Sequence, residues 1–489
     1  MALLINKYKN LPVQMKASLW FLMCAFLQKG VSFITTPIFT RLLTTSEYGQ
    51  YSVFNSWYSI VTVFVSLNLY FGVYAQGLVK FENEKKEFIS SLQGLTFTLV
   101  LAWTAVYLIF RNFWNLLFSL STVQMLAMLV MIWTTAVFNF WSMEQRVDLK
   151  YRALVIVTLL VSLAKPVMGI FLVLHSEDKV TARILGLMLV ELVAYSGMFF
   201  VQMIHGKKFF YGKFWRYALA FNLPLIPHYL SSSILNSADR IMIRDMIDSG
   251  SAGIYNLAYN VSQIMTMFNA ALMQTIEPWL YKKIKAKRLE DIAGIAYPAF
   301  IIIAAVNLIL IVLAPEIVAV FAPEEYYDAI WIIPPVTMSV YFTFSYNFFA
   351  VFEFYYERTK LIAVATVSGA ALNIVLNYFC IKRWGYFAAG YTTLICYIVY
   401  ALAHYCFMCK ICNEKFDGKQ AYSTKTLLLI TVVFITMGVV AMSSYQNIFI
   451  RYSFTAVVLI IMLIKRKQII SVMSQLIRMR KSNKNVKNK

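Results

Sequence analysis

The sequence predicts an all-α membrane protein of about fourteen transmembrane helices. Two six-helix lobes, related as parallel repeats around a central cavity, are followed by two additional helices. Three observations predict this. First, 60% of the 489 residues are apolar and only 14% charged, and mean hydropathy is +0.66. Soluble domains run nearer ~45–50% apolar and ~25% charged, so a soluble enzyme with one ordinary core is excluded, as is a disordered chain. Second, the apolar residues gather into segments close to the ~20 residues that a helix needs to cross hydrocarbon. Third, Lys and Arg are distributed unequally between alternate loops.

In chain order the predicted spans cover residues 17–40, 51–74, 89–110, 121–141, 153–174, 183–204, 217–238, 254–279, 292–314, 329–351, 360–380, 386–408, 426–443 and 448–464. The connections are short and leave no extramembrane domain for a soluble active site. No small-residue cleavage site follows the first apolar run, and a second span follows at once, so the first is expected to be a retained helix. The six cysteines lie mostly in or beside apolar runs and suggest no disulfide framework. With the N-terminus inside, thirty-three of the 44 Lys and Arg residues fall in inner segments and nine in outer ones, while Lys29 and Lys165 lie within spans. That bias supports an even span count with both termini cytoplasmic, and it accounts for the net charge of +21 without nucleic acid.

The expected organisation is an N-terminal six-helix lobe over residues 1–205, a C-terminal one over 206–415, two further spans over 416–464, and a basic cytoplasmic tail over 465–489. In that tail, basic residues alternate with Ile469, Met473, Leu476 and Ile477, as in an amphipathic helix lying on an anionic leaflet. A faint repeat supports the two lobes. Arg41-Leu-Leu-Thr-Thr-Ser-Glu-Tyr-Gly49-Gln-Tyr51 opens the second span, and Arg244-Asp-Met-Ile-Asp-Ser-Gly-Ser-Ala-Gly253-Ile-Tyr255 opens the eighth. Six spans separate them, an even number, which makes the halves parallel repeats.

Polar residues inside spans are the candidates for function, because each costs free energy unless it faces a cavity or a partner. Lys29 lies mid-span, where an insertion scale charges ~2.5–3.5 kcal/mol for Lys. Ser32 and Thr36 share its helix face. Lys165 lies mid-span beside Pro166. The second span carries Ser52, Asn55, Ser59, Thr62 and Ser66 at helical spacing, and the eighth opens with Asn256, Asn260 and Gln263. These stripes suit either a water-lined lumen that receives carbohydrate hydroxyls or helix–helix packing. The seventh span holds Asn222, Pro224, Pro227, His228, Ser232 and Asn236 before Asp239-Arg240, a pattern of bending helices. Glu191 is the clearest intramembrane carboxylate, able to pair with Lys165 or Lys29 or to titrate as a coupling group. Asp239 and His228 are the other candidates for coupling or charge pairing. Cys406, Cys409 and Cys412 with His404 have metal-like spacing but no fourth-ligand cluster. Walker A, G-x-S-x-G and H-E-x-x-H motifs are absent, so no ATPase, cofactor or metal is expected.

Lys29-Gly-Val-Ser-Phe-Ile-Thr-Thr-Pro37-Ile-Phe-Thr-Arg41-Leu-Leu followed by Glu47-Tyr-Gly49-Gln-Tyr51 resembles the opening of bacterial polysaccharide-biosynthesis flippases. These are the Wzx-type exporters of the multidrug/oligosaccharidyl-lipid/polysaccharide superfamily. Asp239-Arg240-Ile-Met-Ile with Gly253-Ile-Tyr255 is similar to that family's seventh-to-eighth helix junction. Glu325-Tyr-Tyr327-Asp-Ala329 before Pro334-Pro335 is similar to its ninth-to-tenth loop. The resemblance implies a multi-pass inner-membrane flippase, not an enzyme, that moves an undecaprenyl-pyrophosphate-linked oligosaccharide between leaflets by alternating access. It implies Lys29 and Lys165 as cavity cations for the pyrophosphate, with Arg240 and Arg244 near the outer mouth. Partners would be the lipid-linked substrate, membrane lipid, a glycan polymerase and chain-length proteins. The rival reading is a cation-coupled multidrug antiporter of the same superfamily, which would carry an acidic residue in the first or seventh span; the first span here has Lys29. A glycan polymerase would need a long basic outer loop, and none is present.

Overall fold

A computed structural model describes residues 13–453 and 456, and among them the chain is helical with short turns and no strand. Nine of the described helices are long and apolar enough to cross a membrane. This is a multi-pass membrane protein. Each of the first thirteen predicted spans falls on helix. The fourteenth lies mostly outside the described residues, and so does the basic tail over 465–489. Several predicted spans are absent from the nine because they are interrupted or rich in polar and aromatic residues.

The chain divides into two compact units, Met1–Ser237 and Ala238–Lys489. The first contains α1 (Val13–Leu42), α2 (Thr45–Ser66), α3 (Val73–Lys80), α4 (Lys85–Ile109), α5 (Arg111–Phe118), α6 (Thr122–Val147), α7 (Tyr151–Leu174), α8 (Lys179–Gly206) and α9 (Gly212–Asn222). The division falls inside α10 (Ile226–Met246). The second unit continues with α11 (Ser249–Ser262), α12 (Ile264–Lys285), α13 (Glu290–Val312), α14 (Ala314–Phe321), α15 (Ile333–Tyr355), α16 (Thr359–Trp384), α17 (Ala388–Lys415) and α18 (Thr424–Ser443).

The repeated motif has a local physical meaning. Thr44 caps α2 through a reciprocal box, accepting from the Glu47 amide at 3.2 Å while its own amide donates to Glu47 Oε2 at 2.8 Å. Asp248 caps α11, accepting from the Ser251 amide at 2.8 Å. Each cap precedes the tyrosine of its Gly-x-Tyr by seven residues, so both motifs start a helix in the same register.

Three predicted spans are broken. The second, expected to run unbroken over 51–74, stops at Ser66. Leu67 and Asn68 then adopt left-handed backbone (φ 50° and 48°), and α3 resumes at Val73. The seventh passes through a tight 3₁₀ turn, Leu223–Leu225, that contains Pro224. The eighth, expected over 254–279, is interrupted at Gln263 between α11 and α12. Asn222, fully buried, donates from Nδ2 to the carbonyls of Leu67 (2.8 Å) and Asn68 (2.9 Å). One side chain therefore joins the break in the second span to the break in the seventh.

Close backbone approach sets the geometry of α7 and α8. A Cβ on Gly186 would lie 2.8 Å from the Gly169 Cα, the small-residue contact that lets membrane helices approach closely. In this antiparallel pair, residues one turn before Gly169 face residues about one turn after Gly186. That places Lys165 opposite Glu191.

Candidate functional site

In the first unit, Lys165 and Glu191 form an ion pair with Nζ 2.6 Å from Oε1. Glu191 is 3% exposed, so its second oxygen needs donors inside the protein. It accepts from Thr134 Oγ1 at 3.0 Å and Thr135 Oγ1 at 3.1 Å, and the Tyr58 hydroxyl donates to Thr135 at 2.9 Å. The network draws on α2, α6, α7 and α8. The Lys165 side chain, 29% exposed, is at its open end.

Lys29 differs from Lys165. It is exposed on α1 and has no hydrogen bond or ion pair among the described residues. The polar stripe of α2 divides into two kinds of position. Ser52, Thr62 and Ser66 are buried, and the hydroxyls of Thr62 and Ser66 return to backbone carbonyls one turn earlier at 2.6 and 2.8 Å. Asn55 and Ser59 are half-exposed. Tyr51 packs its ring 3.6 Å from the Arg183 guanidinium, whose other face meets Phe39 at 3.8 Å. This cation–π contact fastens α8 to α1 and α2. His228, on α10, is half-buried with its ring 5.8 Å from that of Tyr229.

The second unit holds a buried carboxylate of its own. Asp239, fully buried, accepts from the Tyr255 hydroxyl (2.6 Å) and Thr393 Oγ1 (3.0 Å) at Oδ2, and from Asn377 Nδ2 (2.5 Å) at Oδ1. Asn377 in turn bonds Asn373 at 3.3 Å and Thr392. Arg240, 7% exposed, donates from Nε to Asn256 Oδ1 at 3.0 Å and stacks 4.0 Å over the Tyr259 ring. Arg244 pairs with neighbouring Asp245, and Asn260 is exposed. Thus Asp239, Arg240 and Asn256 belong to one buried cluster of α10, α11, α16 and α17, while Asn260 and Arg244 lie outside it.

Sequence reading missed the partners: Thr134, Thr135 and Tyr58 around Glu191, and Asn373, Asn377, Thr392 and Thr393 around Asp239. Each is a polar residue inside a span, the same signal that singled out the stripes. Glu353 and His404 are a further pair, both fully buried, with Nδ1 2.6 Å from Oε1 and the imidazole stacked against Tyr346. His404 is therefore engaged by a carboxylate, away from any role with the cysteines. Among the described residues no group of three or more His, Cys, Asp or Glu is placed to hold a metal.

A sequence model of the family described as "Polysaccharide biosynthesis protein" matches residues 15–284, more than half of the chain. The chain belongs to this family. Over 386 residues, 73% of this chain and 89% of the relative, it is 24% identical to "Lsg locus putative protein 1" of Haemophilus influenzae. It is 22% identical over 202 residues to an uncharacterized membrane protein of the same organism, covering 40% of this chain and 49% of that one. Its fold is shared with the lipid II flippase MurJ in an inward closed conformation, at TM-score 0.66 and 16% identity, covering 91% of this chain and 99% of that one. It is also shared with an inward-facing multidrug resistance MATE transporter of the MOP superfamily, at TM-score 0.59 and 12% identity, covering 80% and 96%. This polysaccharide biosynthesis protein therefore has the fold that MurJ and the MATE transporter share.

Proposed function

We propose that this polysaccharide biosynthesis protein is a flippase that carries an undecaprenyl-pyrophosphate-linked oligosaccharide from the inner to the outer leaflet of the bacterial cytoplasmic membrane. The O-antigen, capsule or exopolysaccharide repeat unit is the cargo, and both termini are cytoplasmic. Family membership and the shared flippase fold support the reading. One observation carries it: Lys29 stands exposed on the first span and forms no ion pair with a carboxylate among the described residues. An ammonium at that depth is stable only beside water or an anion. Lys also meets phosphate as a point charge, without the fixed geometry that would slow release. In a low-dielectric lumen its attraction for a pyrophosphate is stronger than in water.

In this mechanism two six-helix lobes, 1–205 and 206–415, rock about a central cavity. The polar head passes while the lipid tail stays in the bilayer. Lys29 receives the pyrophosphate, with Lys165, Arg240 and Arg244 as further cations along the path. Asn55, Ser59 and Asn260 offer hydrogen bonds to sugar hydroxyls, while Asn256, buried, positions the Arg240 guanidinium. Glu191 acts as the counter-ion that holds Lys165, which leaves Asp239 and His228 for coupling to an ion or the membrane potential. A glycan polymerase and chain-length proteins would consume the product. The antiporter alternative calls for an acidic residue in the first or seventh span: α1 contains none, and Asp239, at the end of the seventh, is buried among its own hydrogen-bond donors.

The test is surface glycan in a strain that depends on this chain, measured at matched protein level. Lys29→Ala and Lys29→Glu are expected to lower export at least tenfold, and Lys29→Arg to retain most of it. Normal export by Lys29→Glu would overturn the assignment.

A further inference from the structure

The first unit contains a cavity of about 300 Å³ that the transport pathway proposed above does not use. Its walls come from α2, α4, α5 and α6, and include Trp57, Phe64, Trp103, Trp114, Phe118 and Leu129. They are apolar throughout. The Tyr107 hydroxyl, which belongs to the same wall, donates to Asn115 at 3.0 Å, and Asn115 donates to Thr122 at 3.0 Å. Water entering the cavity would therefore find almost nothing to bond, and apolar cavities of this kind stay dry. Phe64 and Leu117 on its rim are exposed (40% and 47%), in a chain whose exposed apolar surface faces hydrocarbon. The aromatic rings form one wall: Trp57 lies 4.6 Å from Phe118, which stacks with Trp114 at 5.6 Å.

A cation stands on the helix that supplies one wall of the cavity, one turn before Trp114. Arg111 opens α5 and is exposed. Arg111, Trp114 and Phe118 stand at i, i+3 and i+7, so they share one face of the helix. α5 follows a predicted outer end and joins two spans, which sets it at the depth where lipid phosphates lie. An apolar chamber with an exposed guanidinium in helical register with two of its wall residues matches an amphiphile with a hydrocarbon chain and a phosphate.

We propose that this cavity is a binding site for a bilayer phospholipid of the outer leaflet, with one acyl chain against the tryptophan wall and its phosphate at Arg111. A resident phospholipid fits better than a passing polyprenyl tail, because α5 closes one side and a travelling tail needs an open groove. Selectivity over bulk lipid comes from dispersion contacts with the rings, since surrounding tails are equally apolar. The bound lipid would brace α5 against α2.

The test uses the full-length protein, purified in detergent after expression in a bacterial membrane and analysed by native mass spectrometry during stepwise delipidation. One phospholipid per chain is expected to persist after the others are removed. Leu129→Trp, which fills the cavity, and Arg111→Glu, which repels the phosphate from an exposed position without disturbing packing, are each expected to reduce that retention at least tenfold. As a second readout, a phospholipid with a dibrominated acyl chain should quench wild-type tryptophan fluorescence more than that of Trp114→Phe, and a dibrominated polyprenyl phosphate should not compete. Equal retention by wild type and Arg111→Glu would overturn the proposal. So would retention of a polyprenyl phosphate in place of phospholipid.

Discussion

Glu191 is the clearest case of a side chain whose surroundings decide its role. Its charge was evident from sequence, and so were its two possible basic partners. The choice between them depends on α7 and α8 meeting at Gly169 and Gly186, a contact that no pattern within either helix announces. The Thr134-Thr135 pair could be seen as polar residues in a span but not assigned to an acceptor 56 and 57 residues away. Asp239 repeats the lesson, since its donors Asn377 and Thr393 lie 138 and 154 residues on. The energetics of the first network follow from burial. Removing one partner of a buried pair costs about 3–5 kcal/mol, and the part-exposed ammonium of Lys165 brings the expected loss for Glu191→Gln nearer ~2–3 kcal/mol. Thermal unfolding in detergent should show that loss. Adding Lys165→Met should restore part of it, because the two positions are coupled and their effects do not add. Equal stability of wild type and Glu191→Gln would show that the pair contributes nothing to the fold.

Over the described residues the positions of the first thirteen spans were readable, because hydrophobic length is a strong signal in a chain of this composition. Helix breaks were readable only where a residue type enforces them. Pro224 marks the interruption of the seventh span, since proline removes a donor and crowds the preceding turn. Nothing comparable marks Leu67 and Asn68. Left-handed backbone costs an L residue about 1–2 kcal/mol, so tertiary contacts must hold these two in place. Asn222 is that contact, donating to both carbonyls from a fully buried site. Asn222→Ala would leave the Leu67 carbonyl without its side-chain donor, at roughly 1–3 kcal/mol, while the Asn68 carbonyl keeps the Phe71 amide at 2.9 Å. Amide hydrogen exchange over residues 67–73 should then accelerate at least tenfold, with exchange in α6 unchanged. Protection equal to wild type would assign the breaks to the backbone alone. The Gly-x-Tyr motifs illustrate the other limit. Both start helices in one register, yet Tyr51 stacks on Arg183 while Tyr255 donates to Asp239. Shared sequence fixes where a helix begins without fixing what its tyrosine touches.

For the chain as a whole, the charge bias between loops predicts the orientation, and several ion pairs of each unit fall at the ends it assigns to the inside. Lys150–Asp148 (3.3 Å), Lys85–Asp148, Lys213–Glu84 (2.6 Å) and Arg358–Glu414 (2.7 Å) all lie at helix ends assigned to the inside. Asp148 is held below the usual carboxylate range: desolvation pushes its carboxyl up, and hydrogen bonds and attraction from Lys85 and Lys150 overcome it. Its contribution to stability is therefore present above the unfolded carboxyl range and is lost as pH falls through the lower folded value. Pairs this exposed add little stability. Their bases act instead through the positive-inside bias, which sets topology by excess Lys and Arg in short loops. At the ends assigned to the outside, basic residues are fewer and more variously engaged: Lys179 donates to the Leu42 carbonyl at 3.1 Å, Arg183 lies against aromatic rings, and Arg244 and Arg451 pair with Asp245 and Glu316. Orientation can thus be tested residue by residue in a cysteine-free background of the intact chain. A membrane-impermeant thiol reagent added to spheroplasts should label Ser176→Cys directly. Lys150→Cys and Lys419→Cys should label only after the membrane is opened. The reverse pattern would invert the topology and place Lys29 on a helix that runs from outside to inside.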